Sequence, residues 1–476
     1  MCKWHSSVIA LILIFSFYTA NLIIGAEKTD NIKASNNNKI IISDDDKLEA
    51  NNLINFLYNS PSQHHAVKTV ADKLLSNGFT QINYAERWKL KKGEKCFVIK
   101  NKSTLIAFII NSEKIKSGFN IIAAHTDSPG IHIKPNPEIV EEDYLKLNTE
   151  IYGEPILTSW FDRPLCLSGQ VFVKSKNVFQ PEIKLININK PIAMIVNLAV
   201  HLTEKNDKSA EESKQEVMLP ILQTVSAKFE KGNFLRKYIA SALAIKECEI
   251  LDFGLMFYPY AKGTIWGTED EFIASARIDD LEAVYAGLNA LLNSKNNLKI
   301  NVLACIDNEE VGSLTKQGAY SPFLSNVLEK ITYSLSANRE DFFTAIENSF
   351  IISADVGHAS HPNYISKTDP TNHPLINKGI LVSVSEAMYY LSDPESIGII
   401  KSIAEKAEVP LQMSPAHSDF DIDAPDTFGP IINTHLDIKG VDLGLPILGM
   451  HSTAETCGVL DHIYMIKLLK EFYSSK

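Results

Sequence analysis

No two cysteines of this chain stand close enough to make a CxxC clasp: Cys2, Cys96, Cys166, Cys248, Cys305 and Cys457 are scattered over 476 residues. That excludes a cysteine-built zinc module and a dense disulfide framework. It leaves burial as a small apolar side chain as the commoner fate of such cysteines. A basic excess is missing too. Lys and Arg number 46 against 57 Asp and Glu, for a net charge of −11, and no run of aromatics alternates with basic residues. Nucleic-acid phosphates demand a basic face, so no nucleic-acid partner is expected. Repeats at solenoid periods are absent. Beyond the N-terminus no stretch is long and apolar enough to cross a bilayer.

The N-terminus itself is apolar. Lys3 and His5 precede "VIALILIFSF" at residues 8–17, and the small Gly25 and Ala26 follow. This is the shape of a signal peptide over residues 1–26, which implies the secretory pathway, with a periplasmic or secreted product. An uncleaved anchor is the alternative, although an apolar core of about ten residues is short for a span. Residues 27–47, rich in Asn, Lys and Asp, read as a solvated linker.

From there the chain is equipped for a large core, being 45% hydrophobic, and its length predicts more than one domain. Globular structure is expected from Leu48. Two helical stretches break at Ser60–Pro61; in the second, Ala66, Val67, Val70, Leu74 and Leu75 recur at helical spacing, and Gly78 is a helix stop. The segments "KCFVIKN", "STLIAFII" and "FNIIAAH" follow as strands, the last apolar enough to be buried on both faces. The texture changes at residues 131–272, where short alternating segments such as "GQVFVKS" and a charged helical stretch at 204–214 predict a β-rich insertion. The βα texture returns over 273–476: "DLEAVYAGLNALLNS" as an amphipathic helix, and "NVLACI", "SFIISADVG" and "GVDLGLPILGMH" as strands. The first part of the split domain is then 48–130.

Side chains of metal-ligand type gather where these strands end. His125 and Asp127 close one apolar strand, Glu309 and Glu310 the next, Asp355 another with His358 and His361 beyond, and His451 a fourth. Asp279 and Asp280 open the helix between them. In α/β sheets, ligands bind outside the carboxyl ends of the strands. One such residue alone is usually a cap or turn residue. Four strand ends and one helix start, each with an imidazole or carboxylate, match a site for two divalent metals. The adjacent glutamates point different ways along an extended chain, so one suits a metal and the other the proton of a water.

The segments "HTDSPG", "WFDRPLCLSG", "ARIDDL", "DNEEVGS", "SADVGHASHPNY" and "GMHSTAE" resemble the M18 aspartyl aminopeptidases from about Asn55 to the C-terminus. The resemblance implies an α/β fold: a zinc-exopeptidase-like catalytic domain with a mixed sheet flanked by helices, plus an inserted β-rich dimerisation domain. It implies two divalent ions, expected to be Zn2+, with His125, Asp279 and Glu310 on one, and Asp279 bridging to Asp355 and His451 on the other. Glu309 becomes the general base for a metal-bridging water, and Asp127 a carboxylate bonded to His125. His201 matches a histidine that reaches a neighbouring subunit's site, while His358 and Tyr390 match substrate contacts. The implied partners are peptide substrates and further copies of the chain, in a dimer-built dodecamer.

Three positions depart from the family pattern. Asp280 stands where Asn is usual, Ser383 stands where acid-preferring members carry a lysine, and the turn at 418–430 holds Asp419, Asp421, Asp423 and Asp426. All three spare the metal set and fall where specificity is set, so an acidic preference is not expected. Two other readings are a di-metal exopeptidase of another family and a catalytically silent binding protein of the same fold. "WFDRPL" and "HASHPNY" count against the first, and the intact ligand set with Glu309 counts against the second.

Overall fold

A sheet of nine strands organises the catalytic half. The computed structural model describes residues 41–203, 213–226, 229, 232–295, 298–416 and 427–475, and Ser43 onward forms one body. The strands lie in the order 80–81, 95–100, 104–109, 300–306, 119–125, 350–354, 439–444, 380–384, 411–415. The four central strands, 300–306, 119–125, 350–354 and 439–444, run parallel. Phe119–His125 and Ile300–Ile306 are buried at every residue, as strands covered on both faces must be. On one side they pack into an apolar core with Phe323, Leu328, Ile331, Phe342, Ile346 and Phe428.

The helix Ile278–Asn293 covers the other side together with Val459–Ser474. It is not amphipathic as its sequence suggests, because the sheet, Val459–Ser474 and the helix Asp44–Tyr58 enclose it and nearly every side chain is buried. Gly287 permits the close approach: a Cβ there would stand 2.8 Å from Leu303 and 3.2 Å from Ile122.

The chain orders itself earlier than Leu48. Asp44–Tyr58 is helical, capped by Ser43, whose Oγ accepts from the Asp46 N–H at 3.1 Å while the Asp46 carboxylate accepts from the Ser43 N–H at 3.0 Å. Asp44, Asp45 and Asp46 therefore belong to a helix N-terminus, which favours negative charge, and not to the linker expected over 27–47. The next helix is Gln63–Ser76, and Gly78 follows it with φ +81°, the left-handed stop that its position predicts. Leu75 departs from the expected apolar stripe and is 51% exposed.

The insertion is a six-stranded antiparallel sheet in the order 182–193, 165–173, 250–259, 130–141, 144–152, 221–224. It has its own core, with Trp160, Leu167, Val171, Leu255 and Phe257 packed against Leu235 and Ile239 of the helix Phe234–Leu243. This sheet ends at Pro259, short of the expected 272. Thr264–Trp266 and Phe272–Ser275 instead join Glu455–Gly458, Pro446–Leu448 and Gly357–His358 in a third sheet on the catalytic side. The expected signal segment, most of the linker, most of the charged stretch at 204–214 and most of the Asp-rich turn at 418–430, including its four aspartates, lie outside the described residues.

Candidate dinuclear metal centre

Parallel strands bring the ligand-type side chains to one edge. His125 is the last residue of its strand and is almost wholly buried. Its Nδ1–H donates to the backbone carbonyl of Asp127 at 3.0 Å, which leaves Nε2 facing the cluster, 3.0 Å from Asp279 Oδ1 and 3.8 Å from Asp355 Oδ1. His451 repeats the device from the far end of the chain. Its Nδ1–H donates to the Glu154 carbonyl at 3.0 Å, and its Nε2 lies 3.3 Å from Asp279 Oδ2 and 3.4 Å from Glu310 Oε2. Asp279 thus turns one oxygen to each imidazole.

Three groups of donor atoms lie within 4.8 Å of one another: His125, Asp279 and Asp355; Asp279, Glu310 and His451; and His125, Glu309 and Glu310. The first two share Asp279 and divide the remaining ligand candidates between two centres. This corrects the expected pairing, in which His125 shares an ion with Glu310, and His451 with Asp355. Asp355 directly follows the strand 350–354 beside the strand of His125, whereas Glu310 stands a helical turn beyond its own strand, next to His451.

That turn explains the glutamate pair. Asn308 at φ 68° and Gly312 at φ 86° bracket a one-turn 3₁₀ helix, Glu309–Val311, that points the two carboxylates differently. Asp127 fixes the turn: its Oδ1 accepts from the Glu309 N–H at 3.1 Å and its Oδ2 from the Glu310 N–H at 3.2 Å. The expected bond from its carboxylate to His125 is the weaker contact, at 3.5 Å, because the His125 Nδ1–H goes to the Asp127 backbone carbonyl.

The electrostatics call for cations. Burial pushes Glu310 and Asp355 well above the usual carboxylate range; Asp279 pushes both further, and His125 opposes it. Glu309 is raised to about 7, by burial first and by Asp127 and Asp279 next, against His125. Burial acts the same way on Asp279, but His125 and His451 hold it below the usual range. Glu310 Oε1 has no hydrogen-bond partner. No Lys or Arg is among the described residues lining the cavity of about 430 Å³ above the cluster. Buried carboxylates of one sign need a counter-charge, and two imidazoles beside carboxylate oxygens are a borderline donor set that suits zinc. The residues therefore fit a pair of divalent ions.

Asp280 is not part of the donor set. It is fully buried behind His125, whose backbone N–H donates to Asp280 Oδ2 at 3.0 Å. His358, Ser383 and Tyr390 line the cavity, as does the exposed Glu154. His358, Tyr390 and Ser414 also border an adjoining hollow of about 530 Å³ that contains Lys367. His201 is exposed in a short turn of the insertion and is not among the residues lining the cavity.

Glu455 escaped the sequence reading, although it closes the "GMHSTAE" segment. Its carboxylate accepts from the Asp279 N–H at 3.0 Å and the His451 N–H at 2.8 Å, clamping both backbones. Burial, reinforced by Asp279, raises it to about 8.

Comparison with known proteins gives a consistent picture. Residues 56–473 match the family model described as aminopeptidase I zinc metalloprotease (M18). A probable M18 family aminopeptidase 2 from Clostridium novyi is 49% identical over 427 residues, covering 89% of this chain and 98% of the relative. Among solved structures, a chain in the cryo-EM structure of the Ape4 and Nbr1 complex superposes with a TM-score of 0.84 at 32% identity, covering 91% of this chain and 87% of that one. The S. cerevisiae mApe1 dodecamer matches in fold, with a TM-score of 0.78 at 24% identity over 90% of this chain and 97% of the other.

Proposed function

The chain belongs to the M18 family of zinc metallo-aminopeptidases, and from the geometry of its site we infer which of its residues bind, orient and transfer the proton. It is a peptide hydrolase that removes the N-terminal residue. Asp279 would be shared between two zinc ions, with His125 and Asp355 holding one and Glu310 and His451 the other. The observation that carries this assignment is the division of the Asp279 oxygens between the two imidazoles.

When bound, the two zinc ions polarise a water and the scissile carbonyl and offset the negative charge that develops there. Glu309 takes the proton of the attacking water at its carboxylate and delivers it to the leaving amine. Asp127 keeps Glu309 in place through the backbone N–H. His358 and Tyr390, on the cavity wall, contact the substrate. With Glu154 on the same wall and no lysine or arginine among its described residues, the cavity suits neutral or basic N-terminal residues at least as well as Asp or Glu.

The working unit is a homo-oligomer, in which His201 serves the site of a neighbouring copy. Val196, Leu198, Val200 and Leu202 surround His201 and are 50%, 57%, 79% and 67% exposed, an apolar stripe that a second subunit would cover. A dimer-built dodecamer is the proposed size, after the family. Delivery to the secretory pathway is proposed from residues 1–26 alone, with anchoring as the alternative.

The test separates the two glutamates. Glu309→Gln is expected to keep both metals by elemental analysis and to lose about a hundredfold to ten-thousandfold in kcat. Glu310→Gln is expected to lose metal. Metal loss in Glu309→Gln beside an active Glu310→Gln would reverse the assignment.

A further inference from the structure

Tyr152 has no role in the chemistry above, yet it touches the machinery that holds the general base. It is the last residue of the strand Tyr144–Tyr152, so it is supplied by the inserted sheet and not by the catalytic one. Its hydroxyl donates to Asp127 Oδ2 at 2.7 Å and accepts from Asn308 Nδ2 at 2.8 Å. Asn308 is fixed in turn, because its Oδ1 accepts from Thr315 Oγ1 at 2.9 Å and Gln317 Nε2 at 2.8 Å. The ring of Tyr152 stacks on His132, with centroids 4.6 Å apart and planes at 6°.

These contacts converge on one short segment. Asp127 holds the Glu309 and Glu310 N–H groups, and Asn308 is the left-handed residue that starts their turn. A buried carboxylate that accepts two backbone N–H groups is held more firmly when a further donor engages one of its remaining lone pairs. Among the described residues Tyr152 supplies the one side-chain hydroxyl that does so, and the same oxygen orients Asn308. We propose that Tyr152 is a positioning residue for the Glu309–Glu310 turn, through which the inserted domain sets the alignment of the general base. The proposal rests on the assignment of Glu309 as base. Beside the Glu154 carbonyl that holds His451, it adds a further link between insertion and active site within one subunit.

The experiment uses the metal-loaded full chain carrying Tyr152→Phe, which keeps the ring stack and removes only the hydroxyl. Expected are a kcat lower by roughly tenfold to a hundredfold, the cost of a misaligned group, with KM within about twofold and both metals retained. Amide hydrogen exchange over residues 307–313 should become faster, in metal-loaded and metal-stripped protein alike. Asn308→Gly cuts the same network from the other side while tolerating the left-handed turn. It should give the same pattern, and it decides the matter if Tyr152→Phe does not fold. Unchanged kcat with only a lower melting temperature, metal loss, or unchanged exchange over 307–313 would each overturn the proposal. A fully active Glu309→Gln sinks the base assignment instead, and the exchange measurement still reports whether Tyr152 holds the turn.

Discussion

Ser383→Lys puts a cation on a cavity wall that has none among its described residues. Ser383 sits in the strand Ile380–Val384, and its neighbours on the wall include His358, Tyr390 and Ser414. A lysine ammonium about 5 Å from a substrate carboxylate, at an effective dielectric of about 20, gains roughly 3 kcal/mol. That corresponds to on the order of a hundredfold in kcat/KM. The cavity is open to solvent, so screening is expected to trim the gain towards about tenfold. The assay is kcat/KM on matched peptides beginning with Asp, Glu, Leu, Ala, Lys and Arg, at one pH and one salt concentration. Wild-type protein should cleave the neutral and basic peptides at least as well as the acidic ones. Ser383→Lys should raise the Asp-to-Leu ratio and lower the Lys-to-Leu ratio. A wild-type preference for Asp or Glu, unaltered by Ser383→Lys, refutes the reasoning. It would shift attention to Lys367, the cation in the adjoining hollow.

Three further outcomes are expected. His201→Phe should lower activity and keep both metals; mixed with Glu309→Gln into verified hybrid oligomers it should recover part of the activity, and absence of recovery counts against a shared site. His132 is pushed down to about 4 by burial from the ordinary 6.5, so between those values the unfolded chain binds the extra proton and stability falls as pH falls. Near pH 5 this costs about 2 kcal/mol, so His132→Phe should lose that much less than wild type between pH 7.5 and 5 in denaturant titrations; equal acid sensitivity would show that His132 is not held neutral. Gly444→Ala would drive a Cβ into the backbone carbonyl of Asp355, so it should lower both metal content and melting temperature, and a metal-replete variant of normal stability would contradict that packing.

The site was legible to the extent that a parallel sheet makes it so. Apolar runs that end in His125, Glu309 and Asp355 announce strands whose carboxyl ends share an edge, and the structure has that edge. What chain order does not reveal is which strand lies beside which. His125's strand has the 300–306 and 350–354 strands on its two sides, and the direction in which the Glu309–Val311 turn aims its side chains decides the pairing. The same limit bears on the end of the insertion: Thr264–Trp266, expected within it, pairs with Phe272–Ser275, which is claimed by Glu455–Gly458, far along the chain. Apolar spacing over 280–294 reads as one-faced, but Asp280 and Glu282, on what would be its polar face, are themselves buried; Glu282 pairs with the buried His462. Glu455 and Tyr152 act through backbone N–H groups and a carboxylate belonging to distant segments, which no local motif reports.

The proposed ligands begin at His125 and finish at His451, more than three hundred residues later. A polypeptide emerging from the ribosome therefore carries His125, the general base and most of the donor set long before it carries the last imidazole and the Glu455 clamp. Until those residues are made, Asp279 lacks its second histidine and the backbone restraint on its own N–H. The order of synthesis thus leaves the centre incomplete until residue 455 is in place, and the last imidazole arrives together with the carboxylate that clamps its backbone.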